Sequence, residues 1–443
     1  MQIAFSPPDI DEADIAAVSD VLRSGWITTG PKAAEFEQAL AEYCGTPKVA
    51  CLNSATAALE CALQLLAIGP GDEVIVPAYT YTATASVVCH VGATPVLVDV
   101  APGSYQMDPE RIVESITPRT KALISVDIGG VMCDYDALIA TISNTRVSRK
   151  FEPRAGTMQR LFDRLPVIAD AAHSFGASYH GRPSGTVADI TAFSFHAIKN
   201  LTTAEGGALT WRADLGDSDF HEGMYNKIKL FRLHGQTKDA LDKTEMAGLA
   251  AAGAQDAAGA PAGQAGQAGQ SEPNGDYWEY DVIAPLYKCN MTDIAAALGL
   301  SQLSRYDRLL ARRQDMIKLY NNGLLADALA GGYALDILPH NDGAGSISSG
   351  HLMMVRLLGR DDAFRRRLIK AMAERGVACN VHFKPLPMLS AYMALGFDVG
   401  SYPNAWQQYQ NEVSLPLHTQ LTDEQIAYVC ESFAAAYREC LDA

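Results

Sequence analysis

The sequence predicts an α/β protein, with a large domain built on a mostly parallel sheet flanked by helices and a smaller α+β domain at the C-terminal end. Three observations predict it. From Lys48, short β-branched runs (VACLN, EVIVP, PVLVDV, KALISVDI) alternate with helix-permissive stretches (SATAALECALQLLAI, TYTATASVVCHVG), the pattern of parallel strands joined through helices on both faces. From Val74 to Val98 there is no Asp, Glu, Lys or Arg, yet Pro77 and Pro95 interrupt the run, His90 and Thr80, Thr82, Thr84 and Thr94 dilute it, and only its ends are β-rich. Strand, helix, strand in a buried sheet fits it better than a membrane-spanning helix. From about Gly332, HLMMVRLL and VACNVHF read as strands, and DAFRRRLIKAMAERG and TDEQIAYVCESFAAAYREC as helices, giving a small α+β unit.

Composition narrows the class. A chain of 443 residues, 48% apolar and 19% charged, has ample surface to bury, and its length suits two or three domains. With 35 Lys plus Arg against 51 Asp plus Glu, the formal charge is −16, so the overall basic field on which non-specific nucleic-acid binding relies is missing. The nine cysteines are odd in number and none are spaced as CxxC, which points to neither a zinc cage nor a disulfide framework but to a reducing cytoplasm. At the N-terminus, MQIAFSPPDIDEAD has acids where a signal peptide needs a basic region and an apolar run. We therefore expect no metal centre, no nucleic acid, no membrane insertion and no targeting segment.

In chain order, residues 1–25 form an N-terminal helical segment, whose helix follows Pro8, turns Ile10, Ile15, Val18, Val21 and Leu22 inward and ends at Gly25. SGWITTGPK has the glycine separation of a phosphate loop, but Pro31 stands where the Walker lysine belongs and no Ser or Thr follows Lys32, so nucleotide triphosphatase chemistry is not supported. Nor does a GxGxxG follow any predicted strand. The large domain spans 26–236; within it Asn144 to Arg164 is polar and aperiodic, an expected surface insertion, and strands return at PVIAD, DITAFSF and GGALTW. Residues 237–276 are rich in Ala, Gly and Gln, too poor in bulky apolar residues to offset their ordering entropy, and are expected to be a mobile insertion. Residues 277–331 connect, with a long helix after Asp293, to the small domain at 332–443.

Three short elements carry chemistry. In VIADAAHS, Asp170 ends an apolar strand, at the edge where doubly wound sheets bind ligands. In AFSFHAIKN, Lys199 follows another strand in a mainly apolar context. A lysine and a carboxylate in successive α/β units suit pyridoxal phosphate: the lysine forms a Schiff base, and the carboxylate keeps the pyridine nitrogen protonated so that the ring accepts electrons. Each residue alone has a plainer reading, a turn or helix cap for the Asp and a solvated surface position for the Lys. The third element, NSATAALECAL, shifts the balance, because small residues opening a helix leave N–H groups free for a phosphate.

With those residues in place, the chain resembles the DegT/DnrJ/EryC1/StrS family of sugar aminotransferases, fold-type I pyridoxal-phosphate enzymes that aminate nucleotide-linked keto sugars. The resemblance runs from about Ile10 to Glu431 through NSATAAL, GPGDEVIVPAYTYTATA, GATPVLVDV, ITPRTKALI, ADAAHSFGA, FSFHAIKNLTTAEGGA and NMTDIAAALGLSQL. FSFHAIKN and YKCNMTDI are especially similar to the 4-amino-4-deoxy-L-arabinose branch, whose substrate is a UDP-linked 4-keto pentose. It implies a seven-stranded-type sheet in the large domain, with Lys199 as the Schiff-base lysine, Asp170 as the partner of the pyridine nitrogen, Tyr81 stacked on the ring and His173 near its 3-hydroxyl. For the phosphate, the resemblance implies Ala55, Thr56 and Ser194, with alanine at 55 where the family has glycine. YKCNMTD departs from the commoner GYNYRMTD, placing Lys288 and Asn290 where the family has Asn and Arg; this interface segment reaches the neighbouring subunit's cofactor phosphate, which implies a homodimer with shared sites and leaves open which of the two residues acts in trans. His351, His382 and Lys384 match positions near the sugar nucleotide, Lys384 being available for the diphosphate. Pro387 stands where the family often has histidine, so part of the sugar-recognition set is open.

The resemblance further implies L-glutamate as amino donor, leaving as 2-oxoglutarate, and a UDP-linked 4-keto-6-deoxy sugar, with or without a 2-acetamido group, as acceptor for surface polysaccharide or glycan synthesis. A relative of the same fold that dehydrates its sugar has histidine in place of the lysine, against which Lys199 argues. Within that class a 3-keto sugar, a pentose, and GDP or dTDP as the nucleotide stay open on sequence, and so do two other readings: amination of a cyclitol or other ring ketone, and a pyridoxal-phosphate-binding regulatory homologue that does not turn over.

Overall fold

The computed structural model describes residues 1–238 and 279–442. Seven strands form the central sheet: β1 (Val49–Leu52), β2 (Glu73–Pro77), β3 (Thr94–Val98), β4 (Thr120–Val126), β5 (Val167–Asp170), β8 (Ile190–Ser194) and β9 (Gly207–Trp211), with β6 (Ser178–Tyr179) and β7 (Arg182–Pro183) forming a separate hairpin. Their order is β1-β9-β8-β5-β4-β2-β3. Only β9 runs antiparallel to its neighbours; β8, β5, β4, β2 and β3 pair in parallel. Every residue of β1, β2, β5, β8 and β9 is buried, as expected for strands covered by helices on both faces, and this is why they read as unbroken apolar runs. Because parallel strands end on the same edge, β4, β5 and β8 deliver Asp127, Asp170 and Ser194 side by side, with Asp170 in register with Ala192.

The C-terminal part is a three-stranded antiparallel sheet, β10 (Leu335–Ile337), β11 (Met353–Leu357) and β12 (Glu412–Leu415). Helices Tyr306–Gly331, Asp362–Glu374 and Asp423–Asp442 pack around it, enclosing a second core that includes Met316, Tyr320, Met353, Leu368 and Phe433. Each such side chain contributes about 1.5–3 kcal/mol by leaving water.

Several expectations need correction. The first helix runs Glu12–Ser24 and ends on Gly25 in the left-handed conformation, as its sequence suggests, but Ile15 and Leu22 are 51% and 55% exposed and Ile10 is exposed too. The buried face instead carries Val21 and Asp14, whose carboxylate accepts from Gln302 and Arg305 on the neighbouring helix region. The segment from Asn144 to Arg164 is more than a surface loop: Val147, Phe151, Met158 and Phe162 are buried, and Arg154 binds Asp72 through both carboxylate oxygens. Its polar residues are anchors, so no amphipathic period announces them. VACNVHF forms no strand; it lies extended, joined to β12 by a single bridge between Asn380 and Ser414. The long helix after Asp293 is two helices, Asp293–Ser304 and Tyr306–Gly331, broken at Arg305. Helix Pro31–Cys44, with proline at its first turn and Gly45 closing it in the left-handed conformation, was missing from the sequence reading. Most of the 237–276 insertion lies outside the described residues. Among those described, no helix is long and apolar enough to cross a membrane.

Candidate active site

Where the carboxyl ends of β5 and β8 meet the N-terminus of helix Ala55–Leu65, a cavity of about 470 Å³ opens. It gathers Ala55, Thr56, Tyr81, Asp170, His173, Ser194, Lys199, His351 and His382, nine of the residues singled out by sequence. Their convergence follows from topology: β5 and β8 are adjacent, so two motifs separated in sequence end on one rim.

Lys199 lies in the turn after β8, its N–H donating to the carbonyl of His196 (2.8 Å). Its side chain opens on the cavity while protein surrounds the rest; burial lowers its pKa to about 8, with the Asp170 carboxylate pulling the other way. At that value roughly a tenth of the amine is neutral at pH 7, against well below about a thousandth for an ordinary lysine. It is thus a nucleophile in waiting.

Asp170 is buried, and burial raises its pKa, while hydrogen bonds from Thr84 and Ala172 and the nearby Lys199 oppose that. The Thr84 hydroxyl donates to Oδ2 (2.7 Å) and the Ala172 N–H to Oδ1 (3.3 Å), and Thr80 Oγ1 lies 2.8 Å from Thr84 Oγ1. An ionised carboxylate accepts about four hydrogen bonds, so capacity remains for an N–H donor in the cavity. Neither threonine was picked out from sequence, although both lie in the YTYTATA stretch.

Two imidazoles meet with ring centroids 4.3 Å apart, His173 and His351. The N–H of Gly129 donates to His173 Nδ1 (3.2 Å), which leaves its hydrogen on Nε2. His351 Nδ1 faces Asn200 Oδ1 (3.0 Å), and Asn200 Nδ2 donates to the carbonyl of Ser349 (2.8 Å), an arrangement that puts the His351 hydrogen on Nδ1. Burial pushes both imidazoles well below their ordinary pKa, so both are neutral. The carbonyl of Gly129 in turn accepts from the N–H groups of His351 and Leu352. Gly129 has φ +66°, and a Cβ there would stand 2.3 Å from Leu338 Cδ2. The pair of glycines after KALISVDI is the sequence signal that was overlooked.

At the head of helix Ala55–Leu65, Ser54 Oγ accepts from Ala57 N (3.1 Å), whereas the N–H groups of Ala55 and Thr56 lie in the first turn, where no intrahelical acceptor exists. Beside them β9 comes so close that a Cβ on Gly207 would be 2.4 Å from Ala55 N and 2.3 Å from the Ser54 carbonyl carbon. This cradle, with Ser194 alongside, fits a phosphate, and the spare acceptor capacity of Asp170 fits a pyridinium N–H.

Other sequence candidates lie elsewhere. Tyr81 stands at the cavity mouth, 60% exposed, its ring 5.8 Å from that of Phe383, so it is not packed in the core. Lys288 and Asn290 do not line their own chain's cavity: the Lys288 ammonium donates to Asn290 Oδ1, and Asn290 Nδ2 donates to Thr29 Oγ1. Lys384 is exposed and outside the cavity wall. The lining also includes Asn380, Glu205 and Phe383, which sequence reading did not select.

The fold together with this lysine, carboxylate and phosphate cradle defines a pyridoxal-phosphate-dependent aminotransferase of fold type I. The chain belongs to the DegT/DnrJ/EryC1/StrS aminotransferase family, whose model matches residues 8–148 and 162–434; the internal gap between the two matches falls within the segment from Asn144 to Arg164. It is 33% identical over 433 residues to the spore coat polysaccharide biosynthesis protein SpsC of Bacillus subtilis (strain 168), covering 97% of this chain and 96% of that one. Among solved structures it is similar to Spr1654 of Streptococcus pneumoniae, described as a sugar aminotransferase and known in PLP and PMP forms. The PMP form is 44% identical, with 100% of this chain and 99% of that one covered and a TM-score of 0.86. PseC of Helicobacter pylori, an aminotransferase involved in the biosynthesis of pseudoaminic acid, is 26% identical with a TM-score of 0.78, covering 99% of this chain and 100% of that one. Transamination of a sugar is therefore the coarse activity.

Proposed function

We propose that the chain moves an amino group from L-glutamate to a UDP-linked 4-keto-6-deoxy hexose, with or without a 2-acetamido group, for synthesis of a surface polysaccharide or glycan. The observation that carries the reading is the polar lining that shares the cavity with Lys199: two neutral imidazoles, His351 and His382, each kept uncharged by burial first of all. Neutral donors and acceptors suit hydroxyl groups of a sugar ring, where fixed charges would favour an anion. The relatives' names support the same substrate class, one being a polysaccharide biosynthesis protein and another an enzyme of pseudoaminic acid biosynthesis.

Pyridoxal phosphate, when bound, supplies an electron sink beside the carbon that loses or gains the amine. Lys199 would hold the cofactor through Nζ and, once its amine is free, would take up and return the proton at the carbon that loses or gains the amine. Asp170 would keep the pyridine nitrogen protonated, with Thr84 orienting the carboxylate. His173 would offer Nε2–H to the 3-oxygen, and Tyr81 would cover the ring. Ala55, Thr56 and Ser194 would hold the phosphate.

A homodimer completes the site in this reading. Among the described residues, Lys199 is the only Lys or Arg lining the cavity, so none of them offers a second fixed cation to a phosphate dianion there. Lys288, turned away from its own cavity, is suited to supply one to a partner, with Asn290 beside it. Exposed Ile15, Leu22, Ile27 and Ile283 give such a contact apolar area. His351, His382 and Lys384 then meet the sugar nucleotide, and nine free thiols accord with a cytoplasmic setting. The test is a single-turnover panel: pyridoxamine-form enzyme mixed with nucleotide-linked keto sugars and with cyclitol ketones, read by return of the pyridoxal absorbance. Fast return with UDP-4-keto sugars is expected; return with cyclitol ketones alone would overturn the substrate class.

A further inference from the structure

Behind His382 lies an acid that the mechanism above does not use. Glu412, on β12, is completely buried, and three groups meet it or its neighbour. The N–H of His382 donates to Glu412 Oε2 (2.9 Å), Ser414 Oγ lies 2.5 Å from Glu412 Oε1, and His382 Nδ1 lies 2.8 Å from Ser414 Oγ. The His382 carbonyl accepts from the Tyr79 hydroxyl (2.6 Å), and Phe5 stacks on the imidazole at 5.6 Å. The ring is thus fixed on several sides with Nδ1 turned to Ser414. Nε2, which no hydrogen bond among the described residues engages, is the nitrogen left to the cavity that His382 lines.

We propose that Glu412, Ser414 and His382 form a proton relay that decides which ring nitrogen of His382 carries hydrogen, and so gives or takes one proton at Nε2 for a hydroxyl or amine of the bound sugar. Glu412 and Ser414 are positioning residues in this scheme, acting through His382. With Glu412 protonated, its O–H donates to Ser414 Oγ, the Ser414 O–H donates to Nδ1, and the ring offers Nε2–H as a donor. When Nε2 releases that proton to substrate, the Ser414 proton moves to Nδ1 and the Glu412 proton to Ser414 Oγ. Glu412 ends as carboxylate, Nε2 as an acceptor, and the imidazole stays neutral throughout; the reverse sequence takes one proton up. One proton leaves Glu412 and one reaches substrate, so the step balances without a co-reactant.

The surroundings favour storage on the acid over storage on the ring. Burial raises Glu412 to about 8, with the Ser414 and His382 hydrogen bonds and Arg365 pulling down, whereas burial and then Lys199 lower His382 to about 4. The other ionisable groups facing Glu412 are Tyr79 and Tyr105 from the large domain, Cys379 on the extended segment, Arg365 on helix Asp362–Glu374 and Arg356 directly across on β11. Arg356 gives its guanidinium to Asn411 and Asp336, and Arg365 gives its own to Tyr409 O and Asp362, so neither forms an ion pair with Glu412. A proton added to the array therefore rests on Glu412.

The inference deepens the sugar-aminotransferase reading and rests on it only for the group that meets Nε2. Its test is nitrogen NMR of ring-labelled histidine in the full-length, cofactor-loaded protein, with the His382 signals assigned by their loss in His382→Asn. Between about pH 6 and about pH 10, His382 is expected to pass from the Nε2–H to the Nδ1–H tautomer with no imidazolium stage, the range bracketing the raised acid and an ordinary imidazole. Glu412→Gln, whose amide can donate as the protonated acid does, should hold Nε2–H across the range, and Ser414→Ala should abolish the switch. A wild-type ring that keeps one tautomer throughout, or that titrates to imidazolium, overturns the relay without needing any variant. So does a Glu412→Gln ring that switches as wild type does. An infrared carboxylic-acid band that titrates in wild type and vanishes in Glu412→Gln is the second expected result, and its absence counts against the relay. Failure of the keto-sugar panel would sink the substrate reading alone, since the tautomer is read without substrate.

Discussion

Two helix N-termini in the large domain end in opposite states, and not the ones their sequences suggest. Helix Pro31–Cys44 opens after a glycine-bearing loop with the spacing of a phosphate site, and its first N–H groups are already taken. Asp293, 263 residues from Gly30, accepts from Gly30 N (2.8 Å), Lys32 N (3.1 Å) and Ala33 N (2.9 Å), while Lys32 Nζ pairs with Glu35. Helix Ala55–Leu65 opens without a glycine, yet only Ala57 N is capped by its own serine, and Ala55 and Thr56 face the cavity. A loop pattern states that donors are presented; a partner distant in sequence decides whether an anion finds them free. A glycine is needed instead across the gap, at Gly207, where the backbone of β9 passes the head of the helix.

The strongest test separates the open end from the lysine. Lys199→Ala should lower transamination by at least about 10⁴-fold, the scale of losing a covalent and acid-base group. Pyridoxal phosphate should remain bound without a covalent link, because the phosphate cradle and Asp170 survive. Borohydride reduction followed by mass measurement reads this directly, and cofactor still fixed to the variant would show that another lysine carries the bond. Gly207→Ala comes next. Its Cβ would press on the backbone at Ser54 and Ala55, and overpacking of this kind costs about 1–3 kcal/mol, roughly 5- to 150-fold in cofactor affinity. Unchanged affinity in a fluorescence titration would mean that the cradle is not where the phosphate sits. A smaller effect comes from pH. Since burial lowers Lys199 to about 8, the fraction of neutral amine rises with pH up to that value and then levels off. Cofactor uptake by the apoenzyme, followed by absorbance, should therefore speed up by about tenfold from pH 7 and flatten above pH 8 to 9, well short of the ordinary lysine value. A rate still climbing at pH 10 would show that Lys199 is not perturbed.

How much of this was readable beforehand follows the same division between local and distant causes. Asp170 and Lys199 were legible because one ends and the other closely follows a strand whose apolar run is continuous, and neighbouring parallel strands place such ends together. The helix Ala55–Leu65 was legible from its small residues. Thr84, which orients Asp170, was not, since a threonine in a helix of the YTYTATA stretch carries no mark of the carboxylate 86 residues away. Glu412 escaped for the same reason: no strand was read at EVSL, and only β12 packing beneath the His382 segment buries the acid. The first helix shows the converse error. Its Ile15 and Leu22 have amphipathic spacing, but periodicity says that an apolar face exists, not which body covers it. Within one chain the covered face belongs to Val21 and Asp14.

The most discriminating small effect lies at the closed end. Asp293→Ala removes the acceptor of three N–H groups at the head of helix Pro31–Cys44, and the loss of a charged cap should cost about 2 kcal/mol of stability, at the upper end for such residues. Asp293→Asn keeps one side-chain oxygen and should recover about half of that. If the two helix ends are independent, neither variant should change cofactor affinity by more than about twofold, because additivity holds for sites that share no partner. Urea unfolding measured beside cofactor titration on the same samples gives both numbers. A stability loss with intact affinity supports one filled and one open terminus. An affinity loss above about tenfold would mean that Asp293 holds more than its own helix: Met291, just upstream, is bonded through its carbonyl to Thr29, and the segment before it runs against Asn53 at the mouth of the open cradle. The closed end would then be a strut for the open one, and the contrast between them would become a dependence.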